Sequence, residues 1–380
     1  MTPTEYIGMP VDEIDTPVLL VDLDDLEFNI DKLATHFAEA GKQLRPHTKS
    51  HKTPAIAHLQ LQAGAIGVTC AKLGEAEIMA DAGIDDILIA NEVVGRHKIP
   101  RLMDLARRCD IMVAVDDPDN LADIDAAAGA AGVRPRVLVE VNIGHNRCGI
   151  DAESADVVEL AQAIHDAPHV RFAGVFGYQG HVVDLPDAKQ RETGAHGCLG
   201  RLTTAVANVR AAGLVVDIVS TSATGDYYVS TTYDAVTEVQ AGSYALMDAA
   251  YGTLNLGFRN ALTVLTTVTN RPNAEQVITD AGLKSVTPEH GMPLVKLPDR
   301  DGIDVGWDPK GLRFLTCHAL SEEHGRLRAE GGRCNLEPGD LIQFIPGHGC
   351  TTMNLHDQIY AVRNGRLEAI WPIAARGKVR

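Results

Sequence analysis

The chain has 380 residues, 45% of them hydrophobic and 22% charged, an ordinary globular composition with room for one large domain and a second, smaller one. A formal charge of -17 excludes the broad basic surface that phosphodiesters or anionic lipid require, so neither nucleic acid nor membrane is expected as a partner and any bound anion must be gripped locally. The opening MTPTEYIGMPVDEID has no basic start or apolar h-region, and no apolar run approaches the roughly 20 residues of a membrane span. The expectation is a cytoplasmic protein. Seven cysteines (Cys70, Cys109, Cys148, Cys198, Cys317, Cys334 and Cys350) are odd in number and form no C-x-x-C, which argues against a disulfide framework or zinc ribbon and for small buried hydrophobes.

In chain order, the leading segment DTPVLLVDLDDLEFNIDKLATHFAEAG comes before a regular alternation begins. Eight short apolar, β-branched runs then follow: QLRPHTK, AIGVTCA, DDILIAN, DIMVAV, RVLVEVNI, FAGVFGYQG, VDIVSTSAT and EVQAGSYAL. Amphipathic stretches such as TPAIAHLQLQAG, GEAEIMADAG, IPRLMDLARRC and DAESADVVELAQAIHDAP lie between them, several closed by a helix-ending Gly. Nearly continuous apolar strands separated by helices imply a parallel sheet covered on both faces, and eight such units close into a (β/α)8 barrel. An open doubly wound sheet is the rival, but no G-x-G-x-x-G follows an early strand.

Past Gly257 the pattern changes to strand-like runs, ALTVLTTVTN, EQVITDAG, GLRFLTCHAL, DLIQFIPG and QIYAVRNGRLEAIWPI, joined by turn-rich pieces such as EPGD. The predicted division is an α/β barrel over residues 15–256 and a mostly β domain over 257–380. Residues 1–14 are expected to pack with the β domain, and the leading segment is a candidate to return to it.

Chemistry in such a barrel gathers at the C-terminal ends of the strands. Strand one ends in HTK at Lys49, strand five in VNIGHNRCG with Arg147, and strand six in GYQGH with Tyr178 and His181. Strand seven ends in STSATGDYY with Ser222, Thr224 and Gly225, and strand eight carries Gly242, Ser243 and Tyr244. Small and hydroxyl residues after the last two strands suit a phosphate cradle of backbone N–H groups, with plain turns as the alternative for each segment taken alone. In RPHTKSHKTP, Lys49 sits among other nitrogens, which would lower its pKa and free its lone pair for attack on an aldehyde. A plain surface lysine is the competing explanation, and Lys52 and Lys72 are the competing amines.

Further stretches carry a resemblance: LRPHTKSHKTP, VTCAKLGEAE, NEVVG, VEVNIGHNRCG, GYQGH, TGDYY, EVQAGSYALMDAAYG, DAGLKS, EEHG, PGHGCTTMNLHD and IAARG, in order over nearly the whole chain. The sequence resembles the fold-type III pyridoxal-phosphate enzymes of the D-threonine aldolase and D-serine dehydratase family. The resemblance implies that Lys49 bears the cofactor and that Arg147 lies near its phenolic oxygen. It likewise implies Tyr178 beside the pyridine ring and Ser222, Thr224, Gly225, Gly242, Ser243 and Tyr244 in its binding turns. His348 and Cys350 in PGHGC resemble the family's metal pair, His-x-Asp in the aldolases and His-x-Cys in the dehydratases. An H-x-C alone is a weak motif, and His356 and Asp357 downstream read as structural. A thiolate ligand favours zinc, while an open site would also accept manganese, with magnesium or cobalt as further options. The aldolases also place a histidine a few residues beyond Tyr178-Gln179-Gly180, which makes His181 the candidate base.

The implied function is a pyridoxal-phosphate- and metal-dependent lyase acting on a small β-hydroxy-D-amino acid. Retro-aldol cleavage to glycine and an aldehyde ranks first, and dehydration to a keto acid and ammonia second. A racemase, a cofactor carrier without turnover and a metal hydrolase rank lower. The family implies a homodimer.

Overall fold

A computed structural model of the chain describes residues 6–296 and 314–380. Its contacts group into two compact units. One comprises Leu33–Lys49, Pro54–Gly242 and Gly377–Arg380; the other comprises Met1–Lys32, Ser50–Thr53 and Ser243–Arg376.

The first unit is the predicted α/β barrel. Its strands are Gln43–Leu44, Val68–Cys70, Asp86–Glu92, Asp110–Val115, Arg136–Asn142, Arg171–Gly177, Ile218–Thr221 and Glu238–Val239, one at each of the eight apolar runs to within a residue at either end. All neighbours are parallel, and Glu238–Val239 pairs with both Ile218–Thr221 and Gln43–Leu44. A parallel bridge between His47 and Thr69 joins the first strand to the second and closes the ring.

Burial along Arg136–Asn142 is unbroken through its first six residues, as expected for strands covered on both faces. Even-numbered side chains turn inward: Leu88, Met112, Ala114, Leu138 and Phe176 pack together, with Tyr178 against them. Each such large apolar side chain contributes roughly 1.5–3 kcal/mol by leaving water. The helices have local causes too. Pro118–Ala131 starts at Asp117, whose carboxylate accepts from the Asp119 and Asn120 amides at 2.8 and 2.9 Å, and stops at Gly132 with φ 69°.

The N-terminal end of the barrel is plugged by charge. Arg45, 1% exposed, donates to Glu238 at 3.0 Å and to Asp86 at 2.8 Å, while Arg136 pairs with Asp86 and Asp110. Asp86, Asp110, Arg136 and Glu238 are each the first residue of their strands. Arg45 therefore belongs to this plug, a correction to the expectation that the nitrogens of RPHTKSHKTP act together on Lys49. Lys52 and His51 group with the other unit, where the Lys52 carbonyl accepts from Ala375 at 3.0 Å and His51 Nδ1 accepts from the Thr53 amide at 3.1 Å.

The second unit is a nine-stranded, mostly antiparallel sheet. Its path runs Leu315–Leu320, Gly325–Ala329, Gln276–Thr279, Leu262–Asn273, Val18–Asp22, Gln358–Arg363, Arg366–Pro372, with Leu341–Ile345 pairing Leu262–Asn273 and Leu294–Lys296. Val18–Asp22 lies antiparallel to Leu262–Asn273 and parallel to Gln358–Arg363. The contacts of residues 15–32 group them with the sheet, the unit to which the leading segment is a candidate to return, although the sequence bounds begin the barrel at residue 15. Residues 377–380 likewise group with the barrel unit. Of the predicted strand GLRFLTCHAL, residues 311–313 lie outside the described residues. Among the described residues no helix is long and apolar enough to cross a membrane.

Candidate active site

In the barrel unit, Lys49 follows the first strand in the 3-10 turn Thr48–Ser50. The turn is held from both sides: the His47 amide donates to the Ala241 carbonyl at 3.1 Å, and Thr48 Oγ1 to the Thr69 carbonyl at 3.1 Å. Two cations converge on one ring, with Lys49 Nζ 5.5 Å and Arg147 Cζ 5.2 Å from the Tyr178 ring centre. The His145 ring meets Tyr178 edge-on at 5.6 Å and stacks on His181 at 5.7 Å with planes 12° apart. Burial first, then the charges of Arg147, His181 and Lys49, push the His145 pKa below the usual histidine value. His145 Nδ1 is buried without a hydrogen-bond partner among the described residues, and His181 Nε2 lies 3.7 Å from Cys198 Sγ.

The loop after strand seven is built around one carboxylate. Asp226, fully buried, accepts from Ser222 Oγ at 2.5 Å, the Ala223 amide at 3.1 Å and Gln179 Nε2 at 2.7 Å. Gln179 in turn accepts from Thr221 Oγ1 at 3.0 Å, so strand six and the Ser222–Asp226 loop are tied together. Gly225 is required there, because a Cβ would lie 1.6 Å from the Val183 carbonyl oxygen. Ser222 takes a left-handed φ of 73° inside this network. Desolvation raises the Asp226 pKa above the ordinary aspartate value despite three donors. Ser222 and Thr224 are buried.

A second acidic pair stands beside Arg147. Ligand atoms of Glu140, Glu92 and Cys148 lie within 4.8 Å of one another. Burial, then the hydrogen bond and charge of Glu92, hold Glu140 far above the usual carboxylate range, with Arg147 opposing.

Gly242 closes the barrel unit, whereas Ser243 and Tyr244 group with the sheet unit, in the 3-10 turn Ser243–Ala245. The expected binding turn Gly242–Tyr244 is thus divided. The chain from Ser243 onward bonds within the sheet unit, where the Met247 amide donates to the Ser243 carbonyl at 2.8 Å and the Ala261 amide to the Leu246 carbonyl at 3.0 Å.

In the sheet unit, His348 caps the short helix Gly349–Met353, which carries Cys350. His348 Nδ1 donates to Glu289 Oε2 at 3.1 Å, and its ring centre is 4.5 Å from that of His290. Ser243 Oγ is 4.0 Å from Cys350 Sγ. Asp248, 1% exposed, accepts from the Gly349 amide at 2.9 Å and the Tyr251 amide at 2.8 Å, so a buried carboxylate holds the loop of His348 and Cys350. Burial works against a charged His348, but the hydrogen bond and charge of Cys350, with Asp248 and Glu289, win and raise its pKa to about 9. His356 instead bonds the Ser285 carbonyl at 2.7 Å.

Both donor sets fit their groups. The barrel set offers a primary amine, an arginine at an aromatic ring, buried hydroxyls on a braced small-residue loop and an unpaired ring nitrogen, which suits a phosphorylated aromatic aldehyde. The sheet set offers imidazole nitrogen, thiol sulfur and carboxylate, which suits a divalent metal. Sequence reasoning missed His145, Gln179, Glu92, Glu140, Asp226, Asp248, Glu289 and His290. His145 was visible two places before Arg147, and the rest give no signal beyond polar residues next to strand ends.

Residues 21–250 match the family described as alanine racemase, N-terminal domain, and residues 261–362 the family described as putative serine dehydratase domain. A D-threonine aldolase from Arthrobacter sp. is 39% identical over 99% of this chain and 97% of its own length. A 3-hydroxy-D-aspartate aldolase from Paracoccus denitrificans (strain Pd 1222) is 36% identical over 98% of this chain and 94% of its own length. The crystal structure of D-threonine aldolase from Filomicrobium marinum superposes with a TM-score of 0.93 at 38% identity, covering 100% of both chains. With a barrel match over more than half its length and full-length likeness to both aldolases, the chain belongs to the D-threonine aldolase and D-serine dehydratase family of fold-type III pyridoxal-phosphate enzymes.

Proposed function

We propose that the protein is a lyase of β-hydroxy-D-amino acids that uses pyridoxal phosphate and a divalent metal, cleaving its substrate to glycine and an aldehyde. The observation that carries this reading is the convergence of Lys49 and Arg147 on the Tyr178 ring, beside the stacked pair His145 and His181. Lys49, Arg147, Tyr178 and the Ser222–Gly225 and Gly242 turns would hold pyridoxal phosphate, with Ser243 and Tyr244 as further candidates. His348 and Cys350 would hold zinc or manganese. When bound, these groups supply an electron-withdrawing ring for the substrate nitrogen and a Lewis acid for its hydroxyl oxygen.

The chain's own residues account for the proton transfers. His181 takes the proton of the β-hydroxyl oxygen, helped by a neighbour, His145, that burial keeps neutral. The Cα–Cβ bond breaks, its electron pair stays with Cα, and Lys49 Nζ returns a proton there. Arg147, close enough to Glu140 to oppose the rise in its pKa, places its guanidinium over the Tyr178 ring. The substrate class follows the two aldolase relatives, named for D-threonine and 3-hydroxy-D-aspartate. A cytoplasmic homodimer belongs to the same reading.

Dehydration is the second reading, favoured by Cys350 at the second metal position and by the serine dehydratase match over 261–362. In it Lys49 removes the Cα proton and the β-oxygen leaves, giving a keto acid and ammonia. Incubation with D-threonine and D-serine, with and without chelator, separates the two. Glycine with an aldehyde, lost on chelation, supports the aldolase; keto acid from D-serine supports the dehydratase; neither product from either substrate would overturn both.

A further inference from the structure

The PGHGC loop touches a second loop, and that contact carries donors the metal pair does not account for. Gly347 packs so closely on residues 289–291 that a Cβ there would lie 2.0 Å from the Gly291 carbonyl oxygen and 3.0 Å from that of Glu289. The two loops are fixed backbone to backbone. Just before residues 289–291, the Thr287 amide donates to Thr352 Oγ1 at 3.3 Å and His356 reaches the Ser285 carbonyl at 2.7 Å, tying the same two segments together. His290 adopts a φ of 63°, a left-handed conformation uncommon for residues other than glycine, although histidine enters it more readily than most. The result is that one ligand atom from each of Glu289, His290 and His348 lies within 4.8 Å of the others.

We propose that His290 is a third protein ligand of the metal centre and that Glu289 is a positioning residue that fixes the ring of His348. This rests on the reading that His348 and Cys350 bind the metal. The division of labour follows from the hydrogen bond already made. With Nδ1 of His348 donating to Glu289 Oε2 at 3.1 Å, its Nε2 is the nitrogen left for a metal, the arrangement in which a carboxylate sets the tautomer of a ligating imidazole. The His290 ring lies 4.5 Å away, tilted by 41°, with a ring nitrogen within 4.8 Å of one of His348. Tetrahedral ligands on zinc sit about 3.4 Å apart, which small side-chain rotations from the present spacing achieve. Joined to Cys350 of the proposed metal pair, the two imidazoles would make a three-ligand set with one position open, the pattern of a catalytic rather than a structural zinc. Asp248, buried under the loop and spent on two backbone amides, supplies negative charge nearby without itself being a ligand.

The test is metal binding by the full chain. Metal-stripped wild-type, His290→Asn, Glu289→Gln and His348→Asn proteins are titrated with Zn2+ by calorimetry and with Co2+ by visible absorption, after circular dichroism has confirmed folding. His290→Asn is expected to weaken binding at least 100-fold and to reduce the d–d bands of the Co2+ form, and Glu289→Gln to weaken it by 10- to 100-fold. Wild-type affinity and spectrum in His290→Asn, with binding lost in His348→Asn, would overturn the proposal and leave the two-residue metal reading intact. Unchanged binding in His348→Asn would overturn that reading as well. X-ray absorption of the zinc-loaded wild-type protein decides the matter without a variant: two imidazoles and one sulfur support the proposal, and a single imidazole contradicts it.

Discussion

Replacing Asp226 by alanine tests whether the loop after strand seven is braced in advance. The substitution removes the acceptor of Ser222 Oγ, the Ala223 amide and Gln179 Nε2, at 2.5, 3.1 and 2.7 Å, in a place with no exposure to solvent. A buried donor left without an acceptor costs about 1–3 kcal/mol. With the Ser222 hydroxyl able to turn toward the Ala223 carbonyl, 3.4 Å away, two donors remain stranded and the expected loss is about 2–6 kcal/mol. Asp226→Asn keeps one acceptor oxygen and should lose about half as much. Its deficit also depends on pH. Burial raises the Asp226 pKa, so this carboxyl's contribution is fully present below the unfolded value of 3.8 and falls as pH rises through its folded value. The asparagine does not titrate, and the gap between it and the wild type narrows with rising pH. Urea midpoints across pH 4–8, read alongside equilibrium binding of pyridoxal phosphate, report both effects. An alanine variant with the wild-type midpoint and wild-type cofactor affinity would refute the view that this carboxylate holds the loop.

Glu238→Gln should destabilise by roughly 3 kcal/mol, the low end for stranding a buried charge, because Arg45 keeps Asp86; a urea midpoint equivalent to under 1 kcal/mol would count against the plug. The His145 imidazole should titrate below its ordinary value of 6.5 by NMR, so that stability linked to its neutral form is present above 6.5 and declines as pH falls through its folded value. Arg147→Met should move that titration part of the way back, since burial is the larger cause; no movement would remove Arg147 from the His145 environment. His181→Asn should lower kcat by 100-fold or more for D-threonine, whereas equal activity would transfer the base role elsewhere.

The barrel was legible because its signal is redundant. Each of the eight strands falls at an apolar run bounded by an amphipathic stretch, and loss of any one would not have hidden the period. Individual residues lacked that redundancy. Arg45 lies in the same ten residues as Lys49, and only its pairing with Glu238 and Asp86, each far away in sequence, reveals that it serves the other end of the barrel. Val18–Asp22 precedes the regular alternation, and its place becomes definite only with its ladders to residues 262–273 and 358–363. Gly325–Ala329 was missed because its inward positions are Gly325, Leu327 and Ala329, which leaves one large side chain to mark the alternation. The residues bracing the candidate site, Gln179, Asp226 and Asp248, are isolated polar letters whose meaning lies in burial, and burial of a polar group cannot be read from periodicity.

The most direct test of the central claim is chemical. The protein is loaded with pyridoxal phosphate, reduced with borohydride, digested and mapped by mass spectrometry. A single phosphopyridoxyl group on Lys49, absent from Lys49→Ala together with the visible absorbance and the turnover, is the predicted result. A label on Lys52 or Lys72, or an alanine variant that stays coloured and active, would contradict it.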